Sequence, residues 1–429
     1  MKFQRFFSVV ALTTVTLILA NLLAGVASKE QFSENFPAVV CPPTLPGLTS
    51  QISIQKRSVK FRTVGSNSSK FIPMRMTRFK VIKNPILVDA QGISPVVWQS
   101  KAGNWTGGTI CTAPVSNQWF VGGTSDVTTR GHLVLVNSGL SESIIDINVW
   151  SENGPELSKV FTVSDNSYIT LSLDALAPGA TQIVIHVAPR SGRVNSFLID
   201  ERGKGLRSLG GEMVNSSIES SKDIFIPAIP RAVKIASRIP QELRVLVPGD
   251  SDANFSVEVV SDDGKFTPVG LDEETIKSGV VNTISIDPDI SSTFYGLVIH
   301  SDQPIVAAVY SRGAKDFTWS TAAPKLSPFA LSVTGLNPTL IFTGDSIDVS
   351  ITAKLSSGKT IKRRILGSDI GFWRVPDSVL SVSMTKVSKD TYGAALLSSQ
   401  SGTGYFPLIP GSTLTRSEVP SANIRVLNP

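Results

Sequence analysis

Three histidines and two cysteines, with a few serines spaced from lysines, are the residues in this 429-residue chain whose types could do chemistry. His132, His186 and His300 have no second ligand at metal spacing, so neither a zinc site nor a catalytic imidazole is expected. His186 and His300 close near-identical segments, IVIH (Ile183–His186) and LVIH (Leu297–His300), which points to one structural role used twice. Asp250-Ser251-Asp252-Ala253-Asn254 opens like a calcium loop. Phe255 and Ser261 stand where that loop needs Gly and Glu, so an ordinary acidic turn is the reading.

Serine chemistry fares no better. Ser356–Lys359 and Ser383–Lys386 fit S-x-x-K, and Ser164-Asp165-Asn166 fits S-D-N, but their order is reversed and K-T-G is missing. No full G-x-S-x-G, P-loop or strand–GxGxxG–helix unit occurs. The expectation is therefore no catalytic residue, no metal and no cofactor.

The cysteines say where the chain lives. Lys2 and Arg5 precede Phe6–Val26, which is 21 residues without a charge. As a helix it would reach about 31 Å, enough to cross a bilayer. Gly25-Val26-Ala27 also suits a signal peptidase. Residues 1–27 are read as an uncleaved membrane anchor or a cleaved signal, and either places everything after Ser28 outside the cytoplasm. In that setting Cys41 and Cys111 form a disulfide or remain two buried free thiols. A bridge over that loop would stabilise by about 4.4 kcal/mol in the chain-entropy account.

Two surface chemistries remain. Trp98, Trp105 and Trp119 lie near Cys111, and exposed tryptophans on a sandwich stack on sugars, whereas core packing beside a disulfide is the plainer alternative. Between Gln51 and Pro85 stand nine Lys or Arg and no acid; between Pro240 and His300 stand eleven acids against three Lys or Arg. Lys56, Arg57, Lys60, Arg62, Arg75 and Arg78 are thus candidates for contact with an anionic surface, either lipid head groups or envelope polymers. Alternatively, they are the wet face of strands whose Val59, Phe61 and Val64 point inward. Nucleic acid is not an expected partner outside the cell. Asn67, Asn104, Asn215 and Asn254 fit N-x-S/T, a pattern of weak meaning on its own.

Behind these residues the sequence period is two throughout. Segments such as Leu133–Val136, Ile145–Trp150 and Gln182–Val187 alternate or run apolar for 4–8 residues, with Gly, Pro, Asn and Asp between them. Asn153-Gly154 and Asp263-Gly264 suit hairpin turns. With 41% hydrophobic and 17% charged residues the material is globular.

The chain also repeats itself. HLVLVNSG (His132–Gly139) and LRVLVPG (Leu243–Gly249) each lead to an alternating strand with an acidic Gly turn, INVWSENG and VEVVSDDG, and then to IVIH or LVIH. WFVGG (Trp119–Gly123) and FIPAI (Phe225–Ile229) open the two copies. A diverged copy holds Thr339–Ser346, Ile347–Gly358 and TYGAALLS (Thr391–Ser398), which echoes FYGLVIHS (Phe294–Ser301). In the first stretch FKVIKNPILVDAQG (Phe79–Gly92) takes the slot of Leu297–Gly313. The predicted organisation is 1–27 leader, 28–116 diverged β module with the basic segment, and 117–222 and 223–324 β-sandwich repeats. A diverged β-sandwich follows at 325–429.

The pattern ending at His300-Ser301-Asp302-Gln303-Pro304-Ile305-Val306-Ala307 resembles the Ig-like β-sandwich repeats of secreted prokaryotic proteins. Cys41-Pro42-Pro43, Cys111 through Trp119, Gly122-Gly123-Thr124 and Leu133–Asn137 resemble an actinobacterial family of exported proteins with an N-terminal membrane segment and no assigned function. Asn137-Ser138-Gly139 departs from that family's Asn-Pro-Gly. The resemblance implies an envelope location, a cysteine bridge and no known catalytic residue.

The sequence reading is then an all-β chain of tandem Ig-like antiparallel sandwiches after an N-terminal hydrophobic helix. It is expected to be an extracytoplasmic rod, secreted or held to the membrane through Phe6–Val26 if uncleaved, and to act as a non-catalytic spacer or binding scaffold for envelope polymers or other envelope proteins. The rivals are a carbohydrate-binding protein using Trp98, Trp105 and Trp119, and an envelope hydrolase with an unrecognised site.

Overall fold

From Ser143 to Ser151 every second side chain is buried and those between are half-exposed, the period of a strand with one wet face. That alternation recurs along the chain, and the fold is all-β. The computed structural model describes residues 13–18, 31–55, 59–68, 70–81, 83–101, 105–126, 129–204, 207–231, 240–313, 315–400 and 402–419. Residues 13–18 are helical, and the rest of the predicted leader lies outside the described residues. No helix among the described residues is long and apolar enough to cross a membrane.

Two compact units divide the chain. In the smaller, Met1–Pro37 with Thr413–Pro429, β1 (Gln31–Asn35) pairs antiparallel with β34 (Thr415–Val419).

The larger unit, Ala38–Ser412, holds the same strand plan written four times. In the first set one sheet runs β2 (Val39–Cys41), β7 (Ile86–Asp89), β4 (Lys60–Thr63), β5 (Ile72–Pro73). Its second sheet runs β6 (Arg78–Val81), β3 (Thr49–Ser53), β9 (Val96–Lys101), β10 (Trp105–Ile110). The second set repeats this as β11 (Gln118–Val121), β17 (Ile183–Ser191) and β13 (Ser143–Ser151), with β14 (Gly154–Pro155) and β15 (Lys159–Val163) both on β13. Its other sheet is β16 (Ser167–Ser172), β12 (His132–Asn137), β18 (Asn195–Lys204) and β19 (Arg207–Val214).

The later sets keep the order and fuse neighbours. In the third, β26 (Phe294–Arg312) does the work of both β17 and β18. Its first half lies between β20 (Ser221–Pro230) and β22 (Ala253–Ser261), which also carries β23 (Gly264–Phe266) and β24 (Glu274–Ile276). Its second half lies between β21 (Gln241–Leu246) and β27 (Phe317–Thr321), with β25 (Val281–Ile286) beyond β21. In the fourth, β29 (Thr339–Leu355) and β30 (Thr360–Arg374) each run through both halves. β28 (Phe329–Ser332) and β31 (Val379–Val387) complete one half, while β32 (Tyr392–Ser398) and β33 (Thr403–Pro407) complete the other.

Pairing corrects two of the sequence equivalences. Phe79–Val81 belongs to β6, the counterpart of β25, and Ile86–Asp89 is what matches the first half of β26. TYGAALLS forms β32, which pairs like the second half of β26, whereas FYGLVIHS forms the first half. Short apolar strands resemble one another in sequence wherever they sit, so likeness of letters did not give likeness of position.

Within the larger unit the strand sets do not simply follow one another end to end, as the sequence reading expected. The last strands of the four sets pack on one another: β10 on β19 and β33, β27 on β19 and β33, and β19 more lightly on β33. The four sets therefore close around these strands. Glycines make this approach possible. A Cβ at Gly211 would stand 2.8 Å from the Trp105 indole, and one at Gly404 2.9 Å from the Thr106 carbonyl oxygen. Neither leaves room for a side chain.

Candidate functional site

Where the four last strands meet, the interior is polar. Asp316, just before β27, is 5% exposed. Its carboxylate accepts from the Gly211 amide at 3.0 Å and the Thr106 amide at 3.2 Å, with the Thr403 amide also facing it. One side chain of the third set thus gathers backbone donors from the other three. Burial pushes its carboxyl up to about 7, against the opposite pull of those amides. Glu212 on β19 is fully buried and accepts from the Met213 amide at 2.9 Å. Burial first, and then Asp316 beside it, holds the Glu212 carboxyl well above the usual range. Asn215 donates to the carbonyl oxygens of Gly108 at 3.0 Å and Tyr405 at 2.9 Å, and the Tyr405 hydroxyl donates to Thr321 O at 2.6 Å. Asn215 is therefore a buried joint and no glycan acceptor.

A second joint ties the second set to the third. Arg244 donates to Gly123 O at 2.7 Å, with its guanidinium 4.6 Å from the Trp319 ring centre. Arg202 lies against Tyr310, Phe317 and Trp319, with Asp200 at 3.0 Å. Trp319 Nε1 donates to Asp200 Oδ2 at 2.9 Å. The cations stack on the rings and Asp200 Oδ2 takes both Arg202 and Trp319, while Asp200 Oδ1 and Arg244 Nε are buried with no hydrogen-bond partner among the described residues.

The candidate binding site lies between the third and fourth sets, in a cleft of about 690 Å³ that Ser216–Glu219 at the end of the second set also line. Phe225 on β20 and Tyr392 on β32 stack inside it with ring centres 3.7 Å apart. Around them stand two charge pairs, Lys265 with Asp345 and Lys325 with Asp390, and a hydrogen-bonded pair, His300 Nδ1 with Asp223 Oδ1 at 2.7 Å. Burial, and then the nearby Asp390, Asp223 and Asp345, push the Tyr392 hydroxyl up to about 12. It stays a neutral donor at the cleft wall. His300 faces Asp223 on one neighbouring strand and Ser256 on the other, and no hydrogen bond joins Ser256 to His300 among the described residues.

The sequence candidates fall as follows. Cys41 and Cys111 form a disulfide inside the core of the first set. Trp98, Trp105 and Trp119 are 9%, 0% and 7% exposed and belong to three different clusters, so they form no exposed stacking platform. Trp119 stacks at 3.9 Å on His186, and burial pulls that imidazole down to about 4. His186 and His300 face matching partner strands, yet one is packed under Trp119 and the other is exposed and hydrogen-bonded to Asp223.

Of the basic candidates, Lys56 and Arg57 lie outside the described residues. Lys60, Arg75 and Arg78 are exposed, with Arg78 5.2 Å from the Trp98 ring centre and donating to Gln51 at 2.5 Å. Arg62 is 8% exposed; it donates to Ser138 O at 2.7 Å and to Asn166, joining the first set to the second. It is a joint and not a surface charge. The carboxylates at the centre and the Phe225–Tyr392 cleft were not anticipated. The signal that could have found the centre is the doublet Gly107-Gly108 in β10 and Gly210-Gly211 in β19, small residues where strands of different sets touch.

The chain belongs to the family described as Family of unknown function (DUF5719), which matches residues 93–366. No curated protein matches it. Among solved structures it is similar to one titled Crystal Structure of Thermotoga maritima 1070, at 16% identity and TM-score 0.23, over 25% of this chain and 96% of that one. It is also similar to a tetra-tandem repeat in the extending region of a large adhesion protein, at 11% identity and TM-score 0.12, over 89% of this chain and 94% of that one.

Proposed function

We propose that this chain is a non-catalytic binding scaffold exported to the cell envelope, with the cleft between the third and fourth sets as its docking site for another envelope protein. The Cys41–Cys111 disulfide supports residence in an oxidising compartment. The four strand sets, which lie within 28–116, 117–222, 223–324 and 325–429, read as Ig-like modules built to hold one surface rigid.

The observation that carries the reading is the cleft itself: an aromatic floor, Phe225 on Tyr392, rimmed by charge pairs contributed from two sets. An apolar centre with a polar rim is how a protein interface is built. The sugar-binding reading loses its surface, because all three tryptophans it needs are packed away.

The test is site-specific photocrosslinking in cells, followed by fractionation of membrane, wall and medium. A photoreactive residue at Ile218, which is 57% exposed and lines the cleft, should capture one envelope protein. The same probe at Leu140, 94% exposed on the second set, should not. Recovery of the chain in the cytosol would end the reading. So would covalent labelling of Ser256 by a serine-directed fluorophosphonate, the result a hydrolase built on Asp223 and His300 requires.

A further inference from the structure

We propose that the open edge of the first strand set docks on an anionic phospholipid bilayer, through Lys60, Lys70, Arg75 and Lys80 together with Phe71, Ile72 and Met76. This surface shares no residue with the cleft and stands whether or not the cleft binds a partner.

No Asp or Glu occurs from Asn35 to Val88. Within that stretch β5 is the last strand of one sheet and β6 the last strand of the other. Met74–Thr77 therefore crosses from sheet to sheet along an edge that no further strand covers among the described residues. Met74 turns inward at 6% exposure and plugs the core beside Val59 and Val81. Its neighbours turn out: Phe71, Ile72 and Met76 are 39%, 53% and 58% exposed.

Lone apolar side chains on a surface need no explanation. Three within six residues, set among cations, do. Lys60, Lys70, Arg75 and Lys80 are exposed, and none of them makes an ion pair among the described residues. In the fourth set, by contrast, Lys325, Arg364 and Lys386 each lie on an aspartate of their own chain. Lysines on an edge strand serve to deter strand addition. That accounts for charge and leaves the exposed Phe, Ile and Met without a reason. A soluble polyanion would use the cations alone. A bilayer surface uses both, since the head groups attract the cations while the apolar side chains enter the acyl boundary.

The experiment uses the full chain with Ile72→Trp, reconstituted in vesicles whose lipid tails carry bromine, with Leu140→Trp as the reference position. Vesicles of phosphatidylcholine plus phosphatidylglycerol should quench the indole at position 72 well beyond the one at 140, and pure phosphatidylcholine should not. Adding Lys70→Gln and Arg75→Gln should weaken docking roughly 30-fold, at about a factor of five per cation. Unchanged far-ultraviolet circular dichroism would show that these exposed substitutions leave the fold intact. Equal quenching at 72 and 140, or equal quenching in neutral vesicles, overturns the proposal. A blue shift at 72 produced as fully by inorganic polyphosphate as by vesicles overturns it too, in favour of a soluble polyanion.

Discussion

Asp316 stands just before β27 and Asp348 within β29, and the two aspartates do opposite work. Asp316 is buried at the meeting point of four strand sets and is held by backbone amides from the other three. Asp348 lies on the outer face of the fourth set, where Arg364 at 2.8 Å and Lys386 at 3.0 Å hold its carboxyl well below the usual range, mainly through those hydrogen bonds. A buried carboxyl on backbone donors fixes how sets sit against one another, since the donors cannot move without the strands. A half-exposed carboxyl on flexible cations decorates one sheet, and water and salt can replace each partner. The architecture of the large unit is decided at the centre and not on its faces.

The largest break in that contrast is Gly211→Val. With the Trp105 indole already at 2.8 Å from where a Cβ would stand, the side chain forces β10 and β19 apart. The expected cost exceeds about 3 kcal/mol, read as loss of the cooperative urea transition, while the exposed Leu140→Ala leaves it in place. Asp316→Leu comes next: it strands the Thr106 and Gly211 amides without an acceptor, at about 3 kcal/mol by urea midpoint.

The pH dependence sharpens the comparison further. Asp316 is raised from 3.8 to about 7, so its contribution is fully present below about pH 3.8 and is lost as pH rises through about 7. Glu212 is shifted in the same direction. Asp348 is lowered, so its contribution is present above about pH 3.8 and lost on acidification below it. Urea midpoints should therefore fall between about pH 4 and pH 7 in the wild type and fall less steeply in Asp316→Leu; equal slopes would remove Asp316 as the cause. The smallest effect is Asp348→Ala, which should leave the midpoint unchanged at physiological salt and show only at low ionic strength.

Much of this fold was legible. The period of two, the Gly turns and the repeat of HLVLV with LRVLV are local properties, and a strand with one wet face must carry them. The cysteine pair was legible as a bridge or two thiols, and its closure into a disulfide needed the structure. The slots of Phe79–Val81 and of TYGAALLS were misread, because pairing partners are set by distant strands. Arg62 was misread for the same reason: its sequence neighbours are those of a surface cation, and its hydrogen bonds come from residues far along the chain.

The sequence by itself determined that strands form, where they turn and that a plan recurs, because side-chain alternation and turn chemistry act over a few residues. Only the tertiary structure decided that the four sets close around β10, β19, β27 and β33, that three tryptophans are packed away, and that Phe225 meets Tyr392 in a cleft. Burial and hydrogen-bond partners belong to the packed neighbourhood, and residues distant in the chain supply that neighbourhood.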